Sequence, residues 1–103
     1  MRRGYAGLAF ILAVLSASVA PAETVRVEVD RLTFTPAEIS VKVGDTVERV
    51  NKDILAHTAT VRGDWEVALP ANKSGSRTMT KAGSVEYYCR FHPNMKGRIV
   101  VAP

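Results

Sequence analysis

Ile39-Ser40-Val41-Lys42-Val43-Gly44-Asp45-Thr46 is the stretch on which the fold turns. Apolar residues at 39, 41 and 43 alternate with polar ones at 40 and 42, the period-two pattern of a strand with one buried face. Val43-Gly44-Asp45-Thr46 then makes a turn, and Thr46 to Asn51 begins the next strand. Outward from there the pattern repeats. Val25, Val27 and Val29 alternate with Thr24, Arg26 and Glu28, and His57 to Val61 is a short strand after the Asn51–Ala56 loop. Pro70 to Ser76, rich in turn formers, reads as a surface connection. Arg77 to Thr80, Val85 to Cys89 and Arg98 to Val101 read as further strands, with Ala82-Gly83 a turn. No stretch is convincingly helical. Seven or eight short strands with regular turns predict an all-β sandwich or small barrel.

The first 22 residues stand apart. Arg2 and Arg3 precede an apolar run of 13 residues, Leu8 to Ala20, and Ala20-Pro21-Ala22 supplies small residues for cleavage. Residues 1–22 therefore read as a secretory signal peptide, and 23–103 as one domain starting at Glu23. The run falls short of the ~20 residues that span a bilayer, so stable membrane insertion is not expected. From Glu23 on, 12 Lys and Arg stand against 10 Asp and Glu, a net charge of +2 with both signs interspersed. That is no footprint for nucleic acid. A domain this small buries only about 60–65% of its unfolded surface and needs a staple. One cysteine cannot form an internal disulfide, so Cys89 is a reactive thiol or a ligand. Metal binding would supply the stabilisation.

Cys89-Arg90-Phe91-His92-Pro93-Asn94-Met95 places a thiolate, an imidazole and a thioether with two residues between each. A tight loop with this spacing can turn all three onto one point. His57 is the other imidazole of the two in the chain. Soft sulfur with borderline nitrogen selects copper over oxygen-loving metals, and two His, one Cys and a weak Met form the donor set of a type 1 site. Taken singly, each residue has a plainer role: His57 an ordinary polar residue, Cys89 a buried thiol, Met95 core. Their joint spacing favours the site. Structural zinc asks for four N or S donors, usually with several Cys. A Cys–His nucleophile lacks an oxyanion-hole segment, and two His cannot build a trinuclear copper cluster, so no enzyme activity is expected. Trp65 reads as loop or core packing and Met79 as mid-strand core.

The chain resembles the cupredoxins, in their plastocyanin/amicyanin branch. The likeness runs through Phe34-Thr35-Pro36, Glu38 to Val47, Asn51-Lys52-Asp53, His57-Thr58, Ala82-Gly83, Tyr87-Tyr88-Cys89, His92-Pro93, Met95-Lys96-Gly97 and Ile99-Val100-Val101. It implies a Greek-key sandwich and a periplasmic one-electron carrier, monomeric, holding one copper ion between His57, Cys89, His92 and Met95. Its partners would be redox proteins such as a c-type cytochrome or a periplasmic dehydrogenase. A copper storage or delivery module is the alternative, which Met- or His-rich tails would favour. His92, on the loop, would be the exit for electrons. Three positions depart from the resembling proteins. Arg49 stands where an aromatic is usual, in phase with inward Val47, and is expected to reach water or meet a carboxylate. Thr58 replaces an Asn, and Asn94 replaces a Phe beside the loop His, which reduces the apolar docking patch and weakens the inference to methylamine dehydrogenase as partner.

Overall fold

The computed structural model describes residues 20–103. Met1 to Val19, most of the expected signal peptide, lie outside the described residues. The described chain forms strands β1 (Thr24–Asp30), β2 (Thr33–Thr35), β3 (Glu38–Lys42), β4 (Thr46–Asn51), β5 (His57–Val61), β6 (Trp65–Leu69), β7 (Ser74–Thr78), β8 (Gly83–Tyr88) and β9 (Lys96–Ala102). Among the described residues no helix is long and apolar enough to cross a membrane.

Two sheets make a sandwich, with strand orders β2-β1-β4-β7 and β3-β9-β8-β5-β6. β1 lies parallel to β4, and β3 parallel to β9. The other pairings are antiparallel. Alternation decides which residues face inward. Val27, Val29 and Phe34 of one sheet, with Ile39, Val41, Ile99 and Val101 of the other, meet in a single core. Phe34 sets its ring edge against Tyr87, with centroids 4.8 Å apart at 71°. This is one of the geometries aromatic pairs prefer, because positive ring edge meets negative ring face.

The predicted strands are present, with three adjustments. Nine strands replace seven or eight, because the three-residue β2 and the edge strand β6 were not expected. Trp65 opens β6 instead of lying in a loop, and packs partly against the core. The strand expected at Arg77–Thr80 begins earlier, at Ser74, so part of the expected surface connection is β7. Met79 is core as expected, yet sits just beyond that strand.

β7 is polar in sequence, and a glycine shows why it can sit where it does. A Cβ on Gly75 would fall 2.6 Å from the Ala68 carbonyl oxygen and 2.7 Å from Val67 Cγ1. The two sheets close on each other there too tightly for any side chain.

Arg49 overturns its expectation. It is wholly buried on β4, and its three guanidinium nitrogens have no hydrogen-bond partner. It does not reach the surface, and among the described residues no carboxylate pairs with it. Instead its guanidinium carbon lies 4.2 Å from the Tyr87 ring centroid and 5.8 Å from that of Trp65. Arg77, inward-facing on β7, reaches the same Trp65 at 4.9 Å. Ring faces carry the negative part of the aromatic quadrupole and attract a cation. Burial still pulls the guanidinium below its ordinary pKa, offset in part by Tyr87. Gly97, opposite Tyr87 in the β8–β9 ladder, leaves room for that ring, which a Cβ would strike at Cζ and the hydroxyl.

Candidate metal centre

Three elements meet at one end of β5. His57 is its first residue, Cys89 directly follows β8, and His92 lies in the loop before β9. The loop is closed by its own backbone. Cys89 N–H donates to the Met95 carbonyl at 2.9 Å, Met95 N–H to the His92 carbonyl at 2.9 Å, and His92 N–H to the Cys89 carbonyl at 3.2 Å. These bonds fold the two-residue spacings into a compact turn, as the sequence predicts.

Cys89 Sγ lies 3.7 Å from His57 Nδ1 and 3.7 Å from His92 Nδ1. The three donor atoms are within 4.8 Å of one another. The equal distances can be tested against coordination geometry. With metal bonds of about 2.3 Å to thiolate and about 2.0 Å to imidazole, a trigonal arrangement separates S and N by about 3.7 Å, a tetrahedral one by about 3.5 Å. The two sulfur–nitrogen separations suit donors that share one ion. The His57 and His92 rings meet edgewise, with centroids 5.0 Å apart. Met95 is buried, and with His92, Phe91, Pro93, Asn94 and Leu32 it lines one surface depression. So His57, Cys89 and His92 gather at one place, and Met95 lies beside His92. The donor set suits one type 1 copper ion and leaves oxygen-preferring metals without ligands.

The two imidazoles are held differently. His57 is 1% exposed, whereas His92 is only half-buried. Nε2 of His57 lies 2.7 Å from Asp53 Oδ2. An ionised carboxylate only accepts, so Nε2 carries the proton and Nδ1 keeps its lone pair toward the sulfur. Asp53 also accepts from the amides of Arg31 at 2.7 Å and Leu32 at 3.1 Å. Burial acts to raise its pKa, but those amides and the His57 ring outweigh it and hold the carboxyl below its ordinary value. Arg31 and Leu32 can present both amides because their φ angles are 53° and 59°. Behind Asp53 stands Asn51, whose Oδ1 accepts from the Asp53 amide at 2.9 Å. Its Nδ2 donates to the carbonyls of Leu55 and Leu69 at 2.9 Å and of Pro70 at 3.2 Å.

A second chain of hydrogen bonds grips the residue after the cysteine. Arg90 N–H donates to Thr58 Oγ1 at 2.8 Å, Thr58 contacts Thr60 Oγ1 at 2.8 Å, and Thr60 donates to Glu66 Oε1 at 2.8 Å. Glu66 can only accept, so the Thr60 hydroxyl donates to it and accepts in turn from the Thr58 hydroxyl, and every hydroxyl has one direction. Glu66 returns to Arg90 through Nε at 2.8 Å and Nη2 at 3.0 Å. The Arg90 and Thr60 bonds lower the Glu66 pKa, and Glu66 raises that of Arg90. Thr58, in place of the Asn of resembling proteins, thus uses its side chain on the Arg90 amide. Sequence reading missed Asp53, Thr60 and Glu66. Only the four-residue spacing from Asp53 to His57 hinted at any of them.

Residues 4–101 match the family described as a cupredoxin-like domain. Over 82 residues the chain is 36% identical to amicyanin of Paracoccus denitrificans, covering 73% of this chain and 63% of that protein's length. The amicyanin structure of Paracoccus versutus superposes with a TM-score of 0.68 at 28% identity, over 80% of this chain and 84% of that one. A Cu(I) form of an amicyanin variant gives 0.66 at 33% identity, over 82% and 87%. The chain belongs to the cupredoxin-like family.

Proposed function

We propose that this cupredoxin-like chain is a periplasmic one-electron carrier, in which His57, Cys89, His92 and Met95 would hold one type 1 copper ion. The observation that carries the reading is the pair of equal 3.7 Å separations from Cys89 Sγ to the two Nδ1 atoms. Copper bound there would supply one-electron chemistry, the change between Cu(II) and Cu(I).

The chain's own residues do the rest. Asn51 and Asp53 hold His57, and the backbone-closed loop holds Cys89 and Met95. Donors fixed in this way need little rearrangement when the charge at their centre changes by one. His92, half-buried beside exposed Phe91 and Pro93, is the exit toward a partner. Those partners are redox proteins of the c-type cytochrome or periplasmic dehydrogenase kind. The domain works as a monomer that turns over no substrate. The signal peptide, residues 1–22, is removed after Ala22.

Adding Cu(II) to the purified domain Glu23–Pro103 tests this directly. One equivalent should give an intense thiolate-to-copper absorption in the red and a blue colour, and Cys89→Ala should abolish it. A colourless one-to-one complex would overturn the assignment, as would colour that survives loss of the thiol.

A further inference from the structure

We infer that Asp53 is a positioning residue of the metal centre, one that aims His57 and, through its charge, holds the reduction potential down. The inference rests on the reading of His57 as a ligand. Its basis is the 2.7 Å contact between His57 Nε2 and Asp53 Oδ2, with the His57 side chain 0% and the Asp53 side chain 14% exposed.

Orientation alone needs only an acceptor for Nε2–H, and any carbonyl oxygen would serve. A carboxylate does more. It places a full negative charge across the ring from Nδ1, the nitrogen facing Cys89. A hydrogen bond from Nε2–H to that charge makes Nδ1 more basic, as carboxylates behind metal-bound histidines do. A better donor and a nearby negative charge both favour the ion of higher charge. Cu(II) therefore gains more than Cu(I), and the potential falls.

The carboxylate is built into place. The Arg31 amide holds Oδ1 and the Leu32 amide holds Oδ2, both from the β1–β2 turn. Asn51 holds the Asp53 amide from the end of β4. The His57 side of the centre is thereby tied to a turn of the other sheet.

The test uses the copper-loaded domain with Asp53→Asn and Asp53→Glu. Asn keeps the shape and drops the charge, while Glu keeps the charge on a longer arm. Asp53→Asn should keep the blue band but shift the ratio of Cu(II) to Cu(I) affinity about tenfold toward Cu(I), a rise in potential of about 59 mV. Asp53→Glu should recover most of that shift. A purely structural Asp53 would weaken both oxidation states equally and leave the potential unmoved, which overturns the inference. Should Asp53→Asn fail to fold, histidine-labelled NMR of the wild-type Cu(I) protein reads the same contact. A slowly exchanging Nε2 proton on His57 is expected, and a freely exchanging or absent one overturns it. Failure of the metal reading would show separately, as a wild-type domain with no blue band.

Discussion

Arg49 and Asn51 lie two residues apart on the same face of β4, 0% and 1% exposed, and their polar groups fare in opposite ways. Asn51 satisfies itself completely, donating to three carbonyls and accepting from the Asp53 amide. Arg49 makes no hydrogen bond and rests on the faces of Tyr87 and Trp65. One position fastens a loop that carries a donor residue. The other merely fills a core space at the cost of desolvating a charge. A buried polar group in this domain is therefore no guide to importance until its partners are counted.

The largest effect is expected where the satisfied residue is cut. Asn51→Ala leaves the buried Leu69 carbonyl and its neighbours without donors, at a cost of about 3 kcal/mol. It should also weaken copper binding, because Asp53 and His57 lose their support. Urea unfolding and a copper titration measure the two, and an unchanged midpoint would dissolve the contrast with Arg49. Next comes Arg49 itself. Arg49→Met keeps much of the volume and removes the charge, and should stabilise by about 2 kcal/mol, since apolar replacement of a buried charge is often favourable. The blue band should not move. A large loss of stability would mean that the two aromatic faces repay the whole desolvation cost.

Thr58→Val should cost about 1 kcal/mol, the worth of one hydrogen bond. It frees the Arg90 amide beside Cys89, so a change in the position or intensity of the thiolate band should accompany the loss. The smallest and most selective effect belongs to Asp45. Its carboxylate accepts from the amides of Glu23 and Lys42 at 2.9 and 2.8 Å, which with Lys42 hold its pKa below the ordinary 3.8. Because the folded value is the lower one, its contribution is complete above about pH 3.8 and is lost as pH falls through that folded value. Thermal melts of wild type and Asp45→Asn should diverge at neutral pH and converge in acid. Parallel curves would remove Asp45 from the acid response.

Much of this was readable from the sequence. The Cys89, His92 and Met95 spacing is local, so a reader needs no fold to see it. His57 follows because it is the other imidazole. β1 and β3 announce themselves by strict alternation of valine and isoleucine with polar residues. β7, Ser74-Gly75-Ser76-Arg77-Thr78, does not, because its strand state comes from pairing with β4 and from the room Gly75 leaves. Trp65 to Leu69 alternates only loosely and gains its place from the β5 ladder. Asp53 and Glu66 were invisible as supports, since what makes them so is a turn 21 and 22 residues upstream and an arginine 24 residues downstream. The Arg49 forecast erred by weighing water and carboxylates and leaving out ring faces.

The pairing of β3 with β9 has a kinetic side. Ile39 and Ile99 are ladder partners 60 residues apart, and β9 sits inside its sheet between β3 and β8. Such distant closure is slow, because much chain entropy is lost before the contact rewards it. The Cys89–Met95 loop runs straight into β9, so its donors should converge on His57 only when that strand docks. Copper would then find its ligands after the rate-limiting step and not before it. Saturating metal should leave the refolding rate nearly unchanged and slow unfolding instead, as expected of interactions absent from the transition state. Stopped-flow traces with and without copper would read this directly. Faster refolding in copper would mean that the ion gathers the chain, where the β9 pairing argues that the chain gathers the ion.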